Sequence, residues 1–326
     1  MPVLLTEQDV RIVLPMRDLI DAMEAALARF SSKEVTQPLR TVIEVGLQKA
    51  FVGVMPAFID DPAMLGTKVV SVFGSNAAVG LPTHLATIVL LDPMTGELLS
   101  IMDGRFITEA RTAAVSAVSV KHLARNDATR LAIIGSGVQA RSHLEAVGTV
   151  LKLHEIRVWS RSLENRTVFA REMRARTTAP IKIASSASDA VDGADVIVLA
   201  TASREPVVQV DWISPGAHIC AVGACRPDQR EMDSGLIARG RVFVDSRTGA
   251  LAEAGDILLP MQEGVISDQH VAGELGEVVL GRIAGRTSPD EITIFKSLGM
   301  AVEDVAAAHL AYTKAAERGL GRGFVL

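Results

Sequence analysis

Residues 16–31 (MRDLIDAMEAALARFS) repeat apolar side chains at helical spacing, which predicts an amphipathic helix. From Thr41 to Asp92 the pattern changes to the short β-rich runs TVIEV, AFVGVMPAF, GTKVVSVF and LATIVLLD. Glycines and prolines separate them, and Asp92-Pro93-Met94-Thr95-Gly96 predicts a hairpin turn before ELLSIMD. A mostly antiparallel sheet is expected there. At Thr108 the chain turns helical (TEARTAAVSAVSVKHLA), and from Arg130 strands and helices alternate. The order reads RLAIIGSG, a helix from Gln139, EIRVWSR, a helix around Glu164–Thr177, IKIAS, a helix around Ser188–Asp192, and DVIVLATAS, followed by HICAVGA and RVFVDS. That alternation predicts a doubly wound parallel α/β sheet. Leu298–Arg318 is again helical and Ala-rich.

Composition narrows the function classes. With 326 residues, 48% hydrophobic and 22% charged, the chain suits two domains with substantial cores. A formal charge of -5, from 33 basic and 38 acidic residues, argues against a nucleic-acid partner, which needs a basic face. Aromatics are only 4%, so stacking platforms are few. Two cysteines, Cys220 and Cys225, cannot frame a disulfide scaffold, and a reducing, cytoplasmic location is expected. No further partners at ligand spacing accompany them, so no metal is expected. Charges at Glu7, Asp9 and Arg11 argue against a signal peptide. The longest stretch free of Lys, Arg, Asp and Glu, Val69–Leu91, is broken by Gly74, Asn76, Gly80, Pro82 and His84, and no membrane partner is expected.

The chemistry begins at Gly135-Ser136-Gly137-Val138-Gln139-Ala140, a G-x-G-x-x-A turn between a buried strand and a helix. Gly135 permits the tight turn, Gly137 lets a pyrophosphate approach the backbone, and Ala140 lets helix and strand pack closely. The helix start then offers unpaired N–H groups to phosphate. In an NAD enzyme an acidic residue at the end of the second strand accepts from the ribose hydroxyls. This strand ends Val158-Trp159-Ser160-Arg161-Ser162 instead. Ser160, Arg161 and Ser162 offer a cation and hydroxyls to a 2′-phosphate, so NADP(H) is expected ahead of NAD(H).

Lys68–Ser119 (KVVSVFGSNAAVGLPTHLATIVLLDPMTGELLSIMDGRFITEARTAAVSAVS), the GSGVQA turn, AVGACRPDQREMD at Ala221–Asp233 and FKSLGMAVED at Phe295–Asp304 together resemble the ornithine cyclodeaminase/mu-crystallin family, nearest its ketimine reductase branch. The resemblance spans nearly the whole chain. It implies a discontinuous α+β substrate-binding and dimerisation domain of residues 1–118 and 303–326. A Rossmann dinucleotide domain of 119–302 would lie between, with the active site in the cleft and two copies joined as a homodimer.

The implied chemistry is hydride transfer between a nicotinamide and the α-carbon of a small imino or amino acid. Arg40, Lys68 and Arg111 match the family's carboxylate-binding positions: the arginines fork onto a carboxylate, and Lys68 supplies a point charge and a proton. Lys68 is expected to open an apolar strand and Arg111 to sit in a packed Ala-rich helix, poor places for idle charges. Thr83, Arg111 and the region of Thr201 match contacts to the cofactor's phosphates. Val138, Gln139, Val222 and Gly223 extend the cofactor set, and Ser297 and Leu298 match positions beside nicotinamide and substrate. His84, next to Thr83, is a candidate proton donor.

Cys225 stands where ornithine cyclodeaminases carry an aspartate. A neutral thiol cannot pair with a side-chain ammonium or readily serve as the base for ring closure. The expectation is therefore an NAD(P)H-dependent reductase of α-imino acids, with cyclic ketimines such as Δ1-pyrroline-2-carboxylate or Δ1-piperideine-2-carboxylate as substrates. Ornithine cyclodeamination, alanine dehydrogenase-like reductive amination and a non-catalytic binding protein are the alternatives.

Overall fold

The computed structural model describes residues 1–46 and 50–325. The chain divides into two compact units, one of Met1–Arg111 with Gly299–Leu326 and one of Thr112–Leu298. Both divisions fall a little earlier than residues 118 and 303, the first of them inside a continuous helix.

The first unit contains β1 (Val3–Leu5), α1 (Glu7–Val13), α2 (Met16–Ser31), β2 (Val35–Thr36), β3 (Thr41–Val45), β4 (Ala50–Ile59), β5 (Met64–Val72), β6 (His84–Leu91), β7 (Leu98–Asp103) and the start of α3 (Arg105–Leu123). It is completed by α11 (Ala301–Glu317) and β16 (Arg322–Gly323) from the far end of the chain. The strands form one sheet ordered β16-β1-β7-β6-β5-β4-β2, with β3 also paired to β4. Pairing is antiparallel except between β1 and β7.

Alternation sets the two faces of this sheet. Along β4, Gly53, Met55, Ala57 and Ile59 are buried, while Val52, Val54, Pro56 and Phe58 between them are half-exposed. α11 packs across β4, β5 and β6 and against α2. α2 buries Leu19, Ile20, Met23, Ala26 and Leu27, a stripe that follows from their helical spacing. Each of its larger apolar side chains contributes about 1.5–3 kcal/mol on burial.

The second unit contains β8 (Arg130–Ile134), α4 (Val138–Val150), β9 (Glu155–Trp159), α5 (Leu163–Met173), β10 (Ile181–Ile183), α6 (Ala187–Val191), β11 (Val196–Leu199), β12 (His218–Ala221), α7 (Ser234–Arg239), β13 (Arg241–Val244), α8 (Arg247–Glu253), α9 (Gly255–Gln262), β14 (Val271–Glu274), α10 (Leu275–Val279) and β15 (Thr293–Lys296). Its strands are all parallel, in the order β10-β9-β8-β11-β12-β15-β13-β14. Leu131 and Ile133 of β8 join one core with Leu144, Val147 and Phe169, while Ala132 and Ile134 join another with Ala190, Ile237 and Ile257. Helices thus cover both faces, which is the doubly wound arrangement expected. The chain winds from β8 toward β10 on one side and from β11 toward β14 on the other. The point of reversal, between β8 and β11, is where such sheets bind ligands.

Several boundaries differ from those read in sequence. α3 begins at Arg105 rather than Thr108, because the Asp103 carboxylate accepts the Phe106 N–H at 3.0 Å and starts the helix earlier. α11 begins at Ala301 rather than Leu298, after a left-handed Gly299 with φ +83°. β15, four residues long and central to the parallel sheet, lies in a stretch with no strand expected, as do β1 and β14. Among the described residues no helix is long and apolar enough to cross a membrane.

Candidate active site

In the first unit, Lys68 sits in the middle of β5, opposite Met55 and Ile88, rather than at the strand's opening. Its side chain is 2% exposed and ion-paired with Asp304 in the first turn of α11. Arg111 in α3 donates from Nε to Asp304 Oδ1 at 2.9 Å and from Nη1 to Glu303 Oε2 at 2.6 Å. Two cations and two carboxylates thus form one buried cluster of zero formal charge. Gly299 makes room for it, since a Cβ there would lie 2.5 Å from Arg111 Nη1.

Burial drives the Lys68 ammonium down to about 8, with Asp304 opposing and Arg111 adding to the fall. Asp304 feels the reverse: against the upward push of burial, Arg111 and Lys68 hold its carboxyl below the ordinary range. His84 lies on the same face of the sheet as Lys68, four residues from Ile88 along β6. Burial, then Lys68 and Arg111, push its imidazole down to about 4, so it is neutral near pH 7 and a poor proton donor. Arg40 is half-buried just before β3. The segment leading to it is tied to α11 by Gln37, whose Oε1 accepts the Val302 N–H at 2.8 Å. Thr83 is exposed in the turn before β6, its carbonyl accepting the Phe73 N–H at 2.9 Å.

In the second unit, β8 runs into the glycine turn and α4. Gly135 has φ +127°, and a Cβ on it would meet the Ala200 carbonyl oxygen at 2.4 Å. Only glycine lets β8 turn this close to the end of β11. Gly137, the N-cap of α4, has open space where a Cβ would project, and no side chain caps the helix. Beside it Val138 is half-exposed and the Gln139 Oε1 is buried without a hydrogen-bond partner. A bare helix start, an open glycine and a buried orphan acceptor fit a dinucleotide pyrophosphate and its hydroxyls.

The end of β9 is drawn to this turn, because Ser136 Oγ donates to Ser160 Oγ at 2.9 Å. Arg161 is exposed beside it. Ser162 is engaged as the cap of α5, its hydroxyl accepting the Asn165 N–H at 3.2 Å. Thr201 and Val222-Gly223 follow the carboxyl ends of β11 and β12, and Cys225 donates from Sγ to the Val222 carbonyl at 3.2 Å. Ser297 and Leu298 follow β15, where Asp245 Oδ2 accepts from Ser297 Oγ at 3.4 Å and from the Leu298 N–H at 2.6 Å. Ser297 is therefore held from β13 and caps no helix. Among the described residues no group of three or more His, Cys, Asp or Glu is placed to hold a metal ion.

Glu303, Asp304, Asp245, Glu231, Asp256 and Lys296 are buried charges outside the sequence-derived candidate set. A signal existed for the first two. Glu303 and Asp304 stand in AVEDVAAAHLA, where a helix otherwise built of small apolar residues has no reason to carry adjacent acids unless buried cations face them.

The two units define a doubly wound dinucleotide-type fold joined in one chain to a sheet with a charge-paired polar cluster. The chain belongs to the ornithine cyclodeaminase/mu-crystallin family, whose model matches residues 1–319. It is 44% identical over 297 residues to the ketimine reductase mu-crystallin of Mus musculus, covering 90% of this chain and 91% of that one. The structure of Thermococcus litoralis Delta(1)-pyrroline-2-carboxylate reductase in complex with NADH and L-proline matches at TM-score 0.97 and 42% identity, covering 99% of this chain and 100% of the other. An archaeal alanine dehydrogenase dimer with bound NAD matches at TM-score 0.94 and 31% identity, covering 99% of each chain.

Proposed function

We propose that this protein is a nicotinamide-dependent reductase of α-imino acids, acting on the C=N bond of small cyclic ketimines such as Δ1-pyrroline-2-carboxylate or Δ1-piperideine-2-carboxylate. The observation that carries the reading is the buried cluster of Lys68, Arg111, Asp304 and Glu303. A protonated cyclic imino acid is a zwitterion, and a cluster of zero formal charge takes it without burying net charge. Arg111 and Arg40 anchor the carboxylate, and Lys68, whose proton is close to its release point near neutral pH, passes it to the amine nitrogen left when hydride adds to the iminium carbon. Gly135–Gln139, Thr201 and Val222-Gly223 would hold a reduced nicotinamide cofactor, which would supply the hydride. Cys225, its thiol turned onto the Val222 carbonyl, leaves no carboxylate at its position to receive a distal ammonium, which favours plain reduction over ornithine cyclisation. Oxidation of NADPH and NADH is measured with the two ketimines, with pyruvate plus ammonium, and with L-ornithine and NAD. Turnover confined to L-ornithine would overturn the assignment.

Arg161 supports NADP(H) as the preferred cofactor, although the similar structures named above hold NADH or NAD. Arg161→Ala is expected to raise the KM for NADPH about tenfold, the loss of one charge-assisted hydrogen bond, and to leave that for NADH within about twofold. Equal effects on both would remove Arg161 from 2′-phosphate recognition.

A homodimer is the expected assembly. The sheet face turned away from α11 carries Val52, Val54, Leu65, Val69, Leu85 and Val89, with Val69 41% and Leu85 44% exposed. A largely apolar face of this kind, with Thr67, Ser71 and Thr87 its only polar positions on β5 and β6, suits a second copy of the chain. Sedimentation at micromolar concentration is expected to give twice the chain mass, and a monomer would refute the assembly.

A further inference from the structure

Three charged side chains of the second unit are buried completely and are linked to the segments that leave β11, β12 and β15: Glu231, Asp256 and Lys296. Glu231 lies between β12 and α7, Asp256 in the first turn of α9, and Lys296 at the end of β15. Glu231 Oε1 accepts the Thr201 N–H at 2.6 Å, and its Oε2 accepts the Gly223 N–H at 2.7 Å. One carboxylate therefore spans the loops that leave β11 and β12. Asp256 Oδ1 accepts the N–H groups of Glu231 at 2.8 Å and of Met232 at 3.2 Å, fixing the backbone that carries the carboxylate. Lys296 pairs with Asp256 at 3.3 Å and donates to the Ala221 carbonyl, also at 3.3 Å. The series Lys296–Asp256–Glu231 thus holds the ends of β15, β12 and β11 to one another.

Apolar residues of similar volume would close such a core at less cost than three desolvated charges. The places tied together are those where a doubly wound sheet meets its ligand. We infer that Glu231 is a positioning residue for the nicotinamide cofactor, its two oxygens setting the loops of Thr201 and Gly223 at the spacing in which they bind it, with Asp256 and Lys296 holding Glu231 in place. The inference rests on the cofactor reading above and adds a residue to it.

The arrangement has a pH signature. The charged groups facing Glu231 are Asp256 and Lys296, and Cys225 in turn lies near Lys296. Burial and the Asp256 charge push the Glu231 carboxyl up to about 7, with Lys296 and Thr201 opposing. A protonated carboxyl keeps one good acceptor, so one of the two amides loses its bond. The clamp is complete above this pH and loosens as pH falls through it.

NADPH binding is titrated by fluorescence at pH 8 and pH 6 in the whole protein and in Glu231→Gln. The unaltered protein is expected to bind about tenfold more weakly at pH 6. Glu231→Gln is expected to be about tenfold weaker at pH 8 and to show no further loss on acidification. Glu231→Gln binding within twofold of the unaltered protein at pH 8, or the same pH slope in both, overturns the inference. Should the variant fail to fold, the unaltered protein decides. The backbone amide proton shifts of Thr201 and Gly223 must then follow one common titration near pH 7, and independent or flat shifts overturn it. Failure of the unaltered protein to bind NADPH or NADH at any pH overturns the proposed function instead, and the purpose given to Glu231 with it, even if both amides titrate together.

Discussion

Lys68→Met is expected to lower kcat/KM for ketimine reduction about a thousandfold while the dissociation constant for NADPH stays within about twofold. Methionine matches the stem of lysine and keeps the β5 packing, so the change removes the ammonium and little else. Asp304 retains its bond from Arg111 Nε, which limits the penalty of leaving a buried carboxylate half-paired. General acid work by one positioned group contributes about 10²–10⁴-fold, and weaker anchoring of the substrate carboxylate without the ammonium adds to it. The pH profile carries a second mark of the same residue. The proton-bearing form of Lys68 is present below its folded value of about 8 and is lost above it, so kcat/KM for reduction falls as pH rises through that value. In Lys68→Met the alkaline limb is absent. Steady-state rates from pH 6 to 10 check both, and an unchanged alkaline limb in the variant assigns the proton to another group.

The two glycines of the dinucleotide turn are expected to fail in opposite ways. Gly135→Ala places a side chain at φ +127° and drives its Cβ to 2.4 Å from the Ala200 carbonyl oxygen, which forces the ends of β8 and β11 apart. A cost of about 3 kcal/mol follows from strain and overpacking, lowering Tm by roughly 10 °C in a unit of this size. Gly137 has φ -83°, which any residue adopts, and nothing lies within 4 Å of an added Cβ. Gly137→Val is therefore expected to melt within about 2 °C of the unaltered protein and yet to bind NADPH about a hundredfold more weakly, because the isopropyl group fills the space a pyrophosphate needs. Thermal melting and fluorescence titration of the two variants separate the roles. Full NADPH affinity in Gly137→Val would mean that the phosphates lie elsewhere.

What sequence disclosed and what it hid divide along a physical line. α2 was readable because its stripe of Leu19, Ile20, Met23, Ala26 and Leu27 is a property of consecutive residues. Gly135 was readable because a strand, a sharp turn and a helix in succession demand it. β15 was not, since four residues ending in a lysine carry no alternation, and their strand conformation comes from pairing with β12 and β13. The cations of the polar cluster were legible as charges in apolar surroundings, and the adjacent acids of AVEDVAAAHLA carried the same kind of signal, whereas the pairing between them was hidden. Arg111 meets Glu303 and Asp304 across 192 and 193 positions of chain, a pairing that no local pattern encodes. His84 looked like a proton donor by its neighbours in sequence, and burial, with the cations gathered near it in space, makes it a neutral ring instead.

The first unit takes its covering helix α11 from the opposite end of the chain, after the whole of Thr112–Leu298. On a ribosome the strands β4, β5 and β6 emerge early, and the surface that α11 will cover, with the Lys68 ammonium in it, waits while roughly 210 further residues are made. At elongation speeds of about 5–20 residues per second, that wait is roughly 10–40 s. The uninterrupted second unit has its full sequence before the first does. The half-built sheet, wet on a side meant to be dry, thus stays uncovered through the synthesis of the whole second unit, and the counter-ions of Lys68 and Arg111 arrive only after it.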